Sequence, residues 1–306
     1  MSTRELVVLG SSSQVPTRYR NHNGYLLLWD DEGLLFDPGE GTQRQMIYAE
    51  VSASQITKIL VTHFHGDHCL GLASMIQRIS LDRVPQTIDV FFPASGAVYF
   101  ERLRYASIYY DQARLAPRPL EAEGVVHESP AFTIEARRLD HGVEAFGYRL
   151  QERGGRTMLP GALAEAGVSG PAVGRLLREG EVKAGERVVR LDEVSVERKG
   201  QSVAFVMDTR PCAAALELAR GVDLLVCEST YLSSEASEAH AHGHMTAADA
   251  ASIAREAGVG RLVLTHFSQR YVAVEPFEDE ARAIFADAVA ARDGRRVAVP
   301  KRARVS

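Results

Sequence analysis

The tightest constraint on how this chain can fold is an internal echo. Ile59-Leu60-Val61-Thr62-His63, early in the chain, is nearly repeated by Leu262-Val263-Leu264-Thr265-His266, late in it. Each is a short continuous apolar run, the pattern of a strand buried on both faces, and each sets a His just past its end. Two similar βα halves, each offering ligands at a strand end, would leave this trace. Buried strands share a vocabulary, so coincidence alone could leave it too.

The rest of the chain has the same rhythm. Leu6 to Gly10, Tyr25 to Trp29, Leu34 to Asp37, Val203 to Met207 and Leu224 to Cys227 read as further buried strands. Between them lie helical patterns. Leu72, Met75, Ile76 and Ile79 fall at i, i+3, i+4, i+7, and Ala247 to Ala257 is preceded by Thr246, with Asp249 three residues on as a capping-box start, and followed by Gly258 as a stop. The class is α/β. With 306 residues, 45% hydrophobic and 25% charged, the chain can bury a core without disulfides or a structural metal, so a metal site here is expected to be functional. The three cysteines, Cys69, Cys212 and Cys227, lack CxxC spacing and read as structural in a reducing compartment. No apolar run is long enough to span a membrane, and Met1 to Gly10 lacks the regions of a signal peptide, so a cytoplasmic protein is expected. A net charge of −5 gives no global argument for nucleic acid, which would need a local basic face.

Residues 151–200 break the rhythm with Gly154-Gly155, Pro160-Gly161, Gly170-Pro171, Gly174, Gly180 and Gly185, and read as an inserted excursion within a single domain, 1–306. The excursion carries nine Lys or Arg against eight Asp or Glu, and is weakly basic relative to the remainder. A second basic stretch, Arg292, Arg295, Arg296, Lys301, Arg302 and Arg304, reads as a solvated tail.

The chemistry concentrates in His63-Phe64-His65-Gly66-Asp67-His68, four metal-ligand side chains within six residues, directly after a buried strand. Imidazole and carboxylate without thiolate suit zinc, or manganese or iron, in a site left open to water. His63 and His65 flank Phe64 and can point to one side of an extended turn, while Asp67 and His68 open the following helix, so one segment can serve two adjacent metals. Further ligands must come from elsewhere. His141 in a Gly-marked turn, Asp208 past Val203 to Met207, and His266 past Leu262 to Thr265 sit in the right setting. Singly, each has an ordinary alternative: a hydrogen-bonded core His for two, and for Asp208 a cap on the helix opened by Pro211.

These residues resemble the metallo-β-lactamase fold and, within it, the ribonuclease Z family. The resemblance runs from Leu9-Gly10 and Pro16-Thr17-Arg18 through Phe36-Asp37-Pro38-Gly39-Glu40-Gly41-Thr42-Gln43, the HxHxDH segment and Val143 to Tyr148, to Asp208-Thr209-Arg210-Pro211 and Thr265-His266-Phe267-Ser268. HxHxDH marks only the superfamily; the GEGTQ and DTRP segments with Gly170-Pro171 narrow it. The resemblance implies an αββα sandwich of two similar halves with an inserted flexible arm that grips transfer RNA. It implies two Zn²⁺ per subunit, one on His63, His65 and His141 and the other on Asp67, His68 and His266, with Asp208 as the bridge. It further implies a homodimer, and cleavage of precursor tRNA that leaves a 3′-hydroxyl on the tRNA and a 5′-phosphate on the trailer. Gly170 and Pro171, with Arg175, Arg178, Lys183, Arg187 and Arg190 as phosphate contacts, are the candidate RNA-binding residues. His244-Met245-Thr246 resembles the family's His-Ser-Thr segment, and its neighbours His240 and His242 read as surface residues or an adventitious metal site. Where many relatives read His-Glu-Ala-Thr, this chain reads Cys227-Glu228-Ser229-Thr230, which keeps the carboxylate and excludes any role for the missing His.

Two adjacent divalent metals suit in-line displacement at phosphorus. Asp67 is the expected base or orienting group for water, and His244, backed by Glu228, the proton donor to the leaving 3′ oxygen. Three alternatives remain: a hydrolase of small phosphodiesters or other esters on the same fold, an exonuclease trimming RNA tails, and a catalytically silent RNA-binding protein with structural zinc.

Overall fold

The computed structural model describes residues 4–301, so Arg302 and Arg304 of the basic tail lie outside the described residues. The chain forms two compact units. The larger runs to Glu128, takes up Ile134–Leu150 and resumes at Ser202; the smaller joins Ser129–Thr133 to Gln151–Gln201.

Strands β1 (Arg4–Gly10), β2 (Gly24–Trp29), β3 (Glu32–Phe36), β4 (Lys58–Leu60), β5 (Ile88–Pro93) and β6 (Leu115–Leu120) come first, followed by β7 (Gly124–Glu128), β8 (Phe132–Arg138) and β9 (Phe146–Glu152). In the smaller unit β10 (Gly155–Met158) pairs with β13 (Ser195–Arg198), and β11 (Glu181–Ala184) with β12 (Arg187–Arg190). Strands β14 (Ser202–Val206), β15 (Leu224–Glu228), β16 (Arg261–Thr265), β17 (Ala288–Ala290) and β18 (Arg296–Ala298) complete the chain. Two seven-stranded mixed sheets result, in the orders β18-β1-β2-β3-β4-β5-β6 and β17-β16-β15-β14-β9-β8-β7. Each sheet has a run of parallel pairs, β3 to β6 in one and β14 to β17 in the other.

The sheets meet through Tyr25 and Phe36 of one and Tyr148 and Phe205 of the other, with Phe36 stacked on Phe205 at 4.5 Å. On the outer face of the first sheet, Val7, Leu9, Leu26, Leu35, Ile59 and Val90 pack with helices α1 (Thr42–Tyr48), α3 (Gly71–Leu81) and α4 (Ala97–Arg104); the one-turn α2 (Gly66–Cys69) precedes α3. On the second sheet, α7 (Ala213–Ala219), α9 (Ala247–Ala257) and α10 (Glu275–Arg282) lie against β14 to β17, and α8 (Ala236–Ala241) precedes α9. Covering both faces explains why these strands read as unbroken apolar runs. In the smaller unit α5 (Pro160–Glu165) and α6 (Pro171–Glu179) enclose a small core of Val168, Leu176, Val189 and Val194.

Helix α9 spans the expected residues: Thr246 and Asp249 form the reciprocal capping box, and Gly258 ends the helix at φ +66°. Three strands stop a residue or two short of expectation, and the reason is chemical. Thr62 leaves the β4 ladder because its N–H and hydroxyl both donate to Asp37, each at 2.7 Å, while the Val61 N–H still donates to the Phe91 carbonyl at 2.8 Å. Asp37 and Asp208, which follow the ends of β3 and β14, turn the chain at φ +42° and +34°. His266, after β16, does the same at +62°. Left-handed backbone at non-glycine residues is costly and tends to gather where function holds it. One glycine is required by contact rather than by angle. A Cβ at Gly39 would stand 2.2 Å from the Asp67 carbonyl, so only glycine lets this loop press against the start of α2.

Candidate metal centre and active site

All seven expected ligands belong to the larger unit and converge at strand ends. His63 and His65, from the turn after β4, place Nε2 and Nδ1 2.9 Å apart, and His141 Nε2 lies 3.3 Å from His65 Nδ1. Beside them, His68 and His266 bring their Nε2 atoms to 3.2 Å, each 3.4 Å from Asp67 Oδ2. Asp208 stands between the groups. Its Oδ2 is 3.6 Å from His63 Nε2 and 3.4 Å from His68 Nε2, while Oδ1 is 3.1 Å from His266 Nε2. The alternative of Asp208 as a helix cap does not hold, because α7 starts at Ala213 with Cys212 at its N-cap.

The other nitrogen of four imidazoles is held by a hydrogen-bond partner, which fixes ring orientation. His68 Nδ1 meets Asp37 Oδ2 at 2.8 Å, His266 Nδ1 the Thr230 hydroxyl at 2.8 Å, His141 Nδ1 the Gly243 carbonyl at 3.1 Å, and His63 Nδ1 the Thr62 hydroxyl at 3.1 Å. Thr230 in turn donates to Glu228 Oε2 at 2.6 Å, and Thr62 to Asp37. Asp37 and Thr62 hold the ligands in place, yet neither carries a role in the sequence reading; an Asp just past an apolar run, as with Asp208, is the signal that could have found Asp37.

The electrostatics fit a bound cation. Asp208 Oδ1 is buried and, although His266 Nε2 lies 3.1 Å away, it accepts no hydrogen bond, a costly state for a carboxylate that a metal would relieve. Burial opposes charge on His68, but Asp208, Asp67 and Asp37 outweigh it and push its pKa well above the usual value; a field that holds a proton there would equally hold a metal. Asp67 and Asp208 stay ionised far below the ordinary carboxylate range: burial works against this, and the surrounding imidazoles prevail. Asp67 Oδ2 also accepts the Gln14 N–H at 2.6 Å.

His244 lies over this cluster, its ring 5.4 Å from His266 and its Nδ1 3.0 Å from Glu228 Oε1. Burial disfavours its charge, yet Glu228 and Asp208 raise its pKa to about 9. Glu228 is fully buried and also accepts the Thr209 and Met245 N–H groups. His240 is half-exposed and pairs with Asp249 at 2.9 Å, outside the cluster; His242 lies on the rim. The three cysteines are free thiols, Cys69 and Cys227 buried. The whole site opens into a cavity of about 670 Å³ lined also by Ser13, Tyr231, Glu238, Gln269 and Arg270.

The expected RNA-binding residues all belong to the smaller unit. Pro171 opens α6 behind Gly170 at φ +56°, and Arg175, Arg178, Lys183, Arg187 and Arg190 are exposed, with Arg187 bound to Glu193.

Two sheets enclosed by helices, with a His/Asp cluster at their strand ends, define a hydrolase of the metallo-β-lactamase superfamily. A family profile described as beta-lactamase superfamily domain matches residues 193–267, and that of Anti-Pycsar protein Apyc1 matches residues 4–97. A "Ribonuclease Z" of Streptomyces avermitilis is 57% identical over 304 residues, covering 99% of this chain and all of the relative, and one of Chlamydia trachomatis serovar L2 is 49% identical over 96% of both. The human short-form tRNase Z superposes with a TM-score of 0.71 at 24% identity, over 97% of this chain and 100% of its own. The chain belongs to the ribonuclease Z family and is an endoribonuclease with a site for divalent metal.

Proposed function

We propose that this endoribonuclease removes the 3′ trailer from precursor tRNA by one cut, leaving a 3′-hydroxyl on the tRNA and a 5′-phosphate on the trailer. The full-length identity to ribonuclease Z, at 57%, carries this reading. The donor set, five imidazoles and two carboxylates without thiolate, favours two zinc ions, with His63, His65 and His141 holding one, Asp67, His68 and His266 the other, and Asp208 bridging. Such ions, when bound, supply a Lewis acid at phosphorus and a lowered pKa for water. Asp67, beside His68 and His266 and held by the Gln14 N–H, orients the attacking water. His244 donates a proton to the leaving 3′ oxygen, and Glu228 keeps that imidazole charged and aimed.

The smaller unit, with Gly170, Pro171 and the exposed Arg175, Arg178, Lys183, Arg187 and Arg190, is the arm that grips the tRNA body, an insertion in a single catalytic domain. A second copy of the chain covers the face built by α1, α3 and residues 105–110. Ile47, Tyr48, Leu81, Tyr105, Ile108 and Tyr110 are exposed there, and Ser80 and Gln77 tie α3 to that loop. No helix among the described residues is long and apolar enough to cross a membrane, and a tRNA substrate supports a cytoplasmic location.

The test is an end-labelled precursor tRNA incubated with zinc-loaded protein and with its Asp67→Ala variant. A single product from the first and none from the second, with both folded, supports the reading. A ladder of products would indicate exonuclease trimming. Cleavage only of small diesters would favour the small-substrate hydrolase, and tight binding without cleavage an RNA-binding protein.

A further inference from the structure

The cavity over the metal cluster must admit a polyanion, yet Asp67, Asp208 and Glu238 line it and Arg270 is the one Lys or Arg among its described lining residues. Arg270 sits in the loop after His266, its guanidinium 4.8 Å from the centre of the Tyr231 ring. Its two terminal amines are held differently. Nη1 bonds Glu235 Oε1 at 2.5 Å, and Glu235 also accepts the Tyr271 hydroxyl, which itself accepts the Leu232 N–H at 3.2 Å. That half ties the loop to the cavity wall. Nη2 bonds Glu238 Oε1 at 2.8 Å, and Glu238 is the more exposed partner, at 45% of its side chain against 30% for Glu235.

Resting on the RNA-cleaving function, we propose that Arg270 binds a backbone phosphate adjacent to the scissile linkage, and that Glu238 occupies its outer amine until the RNA displaces it. A guanidinium presents parallel donors that fit phosphate as well as carboxylate, so the exchange keeps the Arg270 geometry. A half-exposed ion pair is weak, worth at most about a factor of five in an equilibrium, so Glu238 yields readily. The Tyr231 face keeps the guanidinium plane in place while one amine changes partner. Glu238 thereby acts as a gate on charge: it repels a phosphate that arrives without reaching Arg270, and leaves when one does.

The experiment uses zinc-loaded wild type, Arg270→Gln and Glu238→Gln on three precursor tRNAs: unmodified, and with a single uncharged methylphosphonate at the linkage before or after the cut. In the wild type, one of the two modified precursors should raise KM about tenfold or more, the loss expected for one charged hydrogen bond. That penalty should vanish in Arg270→Gln, whose KM is already raised, because the two changes remove the same contact. Glu238→Gln should lower KM for the unmodified precursor severalfold at low salt and retain the methylphosphonate penalty. A penalty of equal size in Arg270→Gln, no penalty at either linkage, or a raised KM in Glu238→Gln would overturn the proposal. If Arg270→Gln melts early through loss of the Glu235 tie, the Glu238→Gln result and the wild-type penalty decide. Failure of the wild type to cut the unmodified precursor would instead reject the substrate assignment.

Discussion

Replacing Asp37 by Ala should weaken metal binding through a residue that touches no metal. Its carboxylate is fully buried and accepts three hydrogen bonds, from the Thr62 N–H and hydroxyl and from His68 Nδ1, at 2.7 to 2.8 Å. Removing it leaves the His68 Nδ1–H with no acceptor, so the imidazole is free to carry its proton on Nε2, the nitrogen that faces Asp67 and Asp208. A lost outer partner of this kind costs about 10- to 100-fold in metal affinity. The fold suffers as well: leaving a buried charged network broken costs about 3 to 5 kcal/mol, concentrated where β4 gives way to the His63 turn. The assay is zinc titration against a competing chelator, with thermal unfolding at saturating zinc and precursor cleavage across the same zinc range. Cleavage should recover substantially when zinc is raised, because all seven ligands remain. A zinc affinity within twofold of wild type would refute the claim that Asp37 sets the His68 tautomer.

His244→Ala should slow precursor cleavage by about 10²- to 10⁴-fold, as for a lost general acid, and slow an activated nitrophenyl diester much less; equal losses would remove His244 as proton donor. Deleting the arm from Leu159 to Val194, which leaves the Met158–Ser195 pair in place, should separate binding from chemistry; a cut that spared Val194 would strand it without Val168, Leu176 and Val189. Precursor affinity should fall with a reduced salt slope, about 0.9 per lost phosphate contact if the duplex DNA value carries over, while small diesters are still cleaved; unchanged affinity would sink the arm assignment. Asp293 is pushed up to about 6 by burial, against the Asn21 and Ser11 donors and the Arg20 charge. Its raised pKa gives stability that is fully present below pH about 4 and is lost by pH about 6, roughly 3 kcal/mol in all. Asp293→Asn, which can still accept from the Asn21 N–H and donate to the Ser11 hydroxyl, should flatten that part of the stability profile, and an unchanged slope in urea titrations from pH 4 to 7 would count against it.

The residues that sequence exposes best here are those whose signal is local. Helix α9 is bounded by a capping box and a left-handed glycine that sit within a dozen residues of one another, and the HxHxDH segment declares its chemistry in six. The ends of β3 and β14 are harder to read because Asp37 and Asp208 turn the chain at positive φ, which only their distant partners sustain. Asp37 reaches Thr62 and His68, and Glu228 reaches His244 and Thr209, across separations no window of sequence spans. Arg270 is silent in the sequence for the same reason: its meaning lies in Tyr231, Glu235 and Glu238, which come from the segment between β15 and α9.

The departure at Cys227 shows how far alternation along a strand constrains a site. Side chains of successive strand residues point to opposite faces, so on β15 the carboxylate of Glu228 and the thiol of Cys227 cannot serve the same side. Glu228 reaches His244, Thr230 and the Thr209 N–H at the metal cluster. Cys227 is fully buried, and its thiol pKa is pushed well up by burial, with the charges of Glu228, Cys212 and Asp249 adding to the shift. With Glu228 kept, the His244 imidazole keeps its carboxylate partner at 3.0 Å, and the buried small thiol of Cys227 asks for no hydrogen-bond partners of the kind a buried polar ring would need.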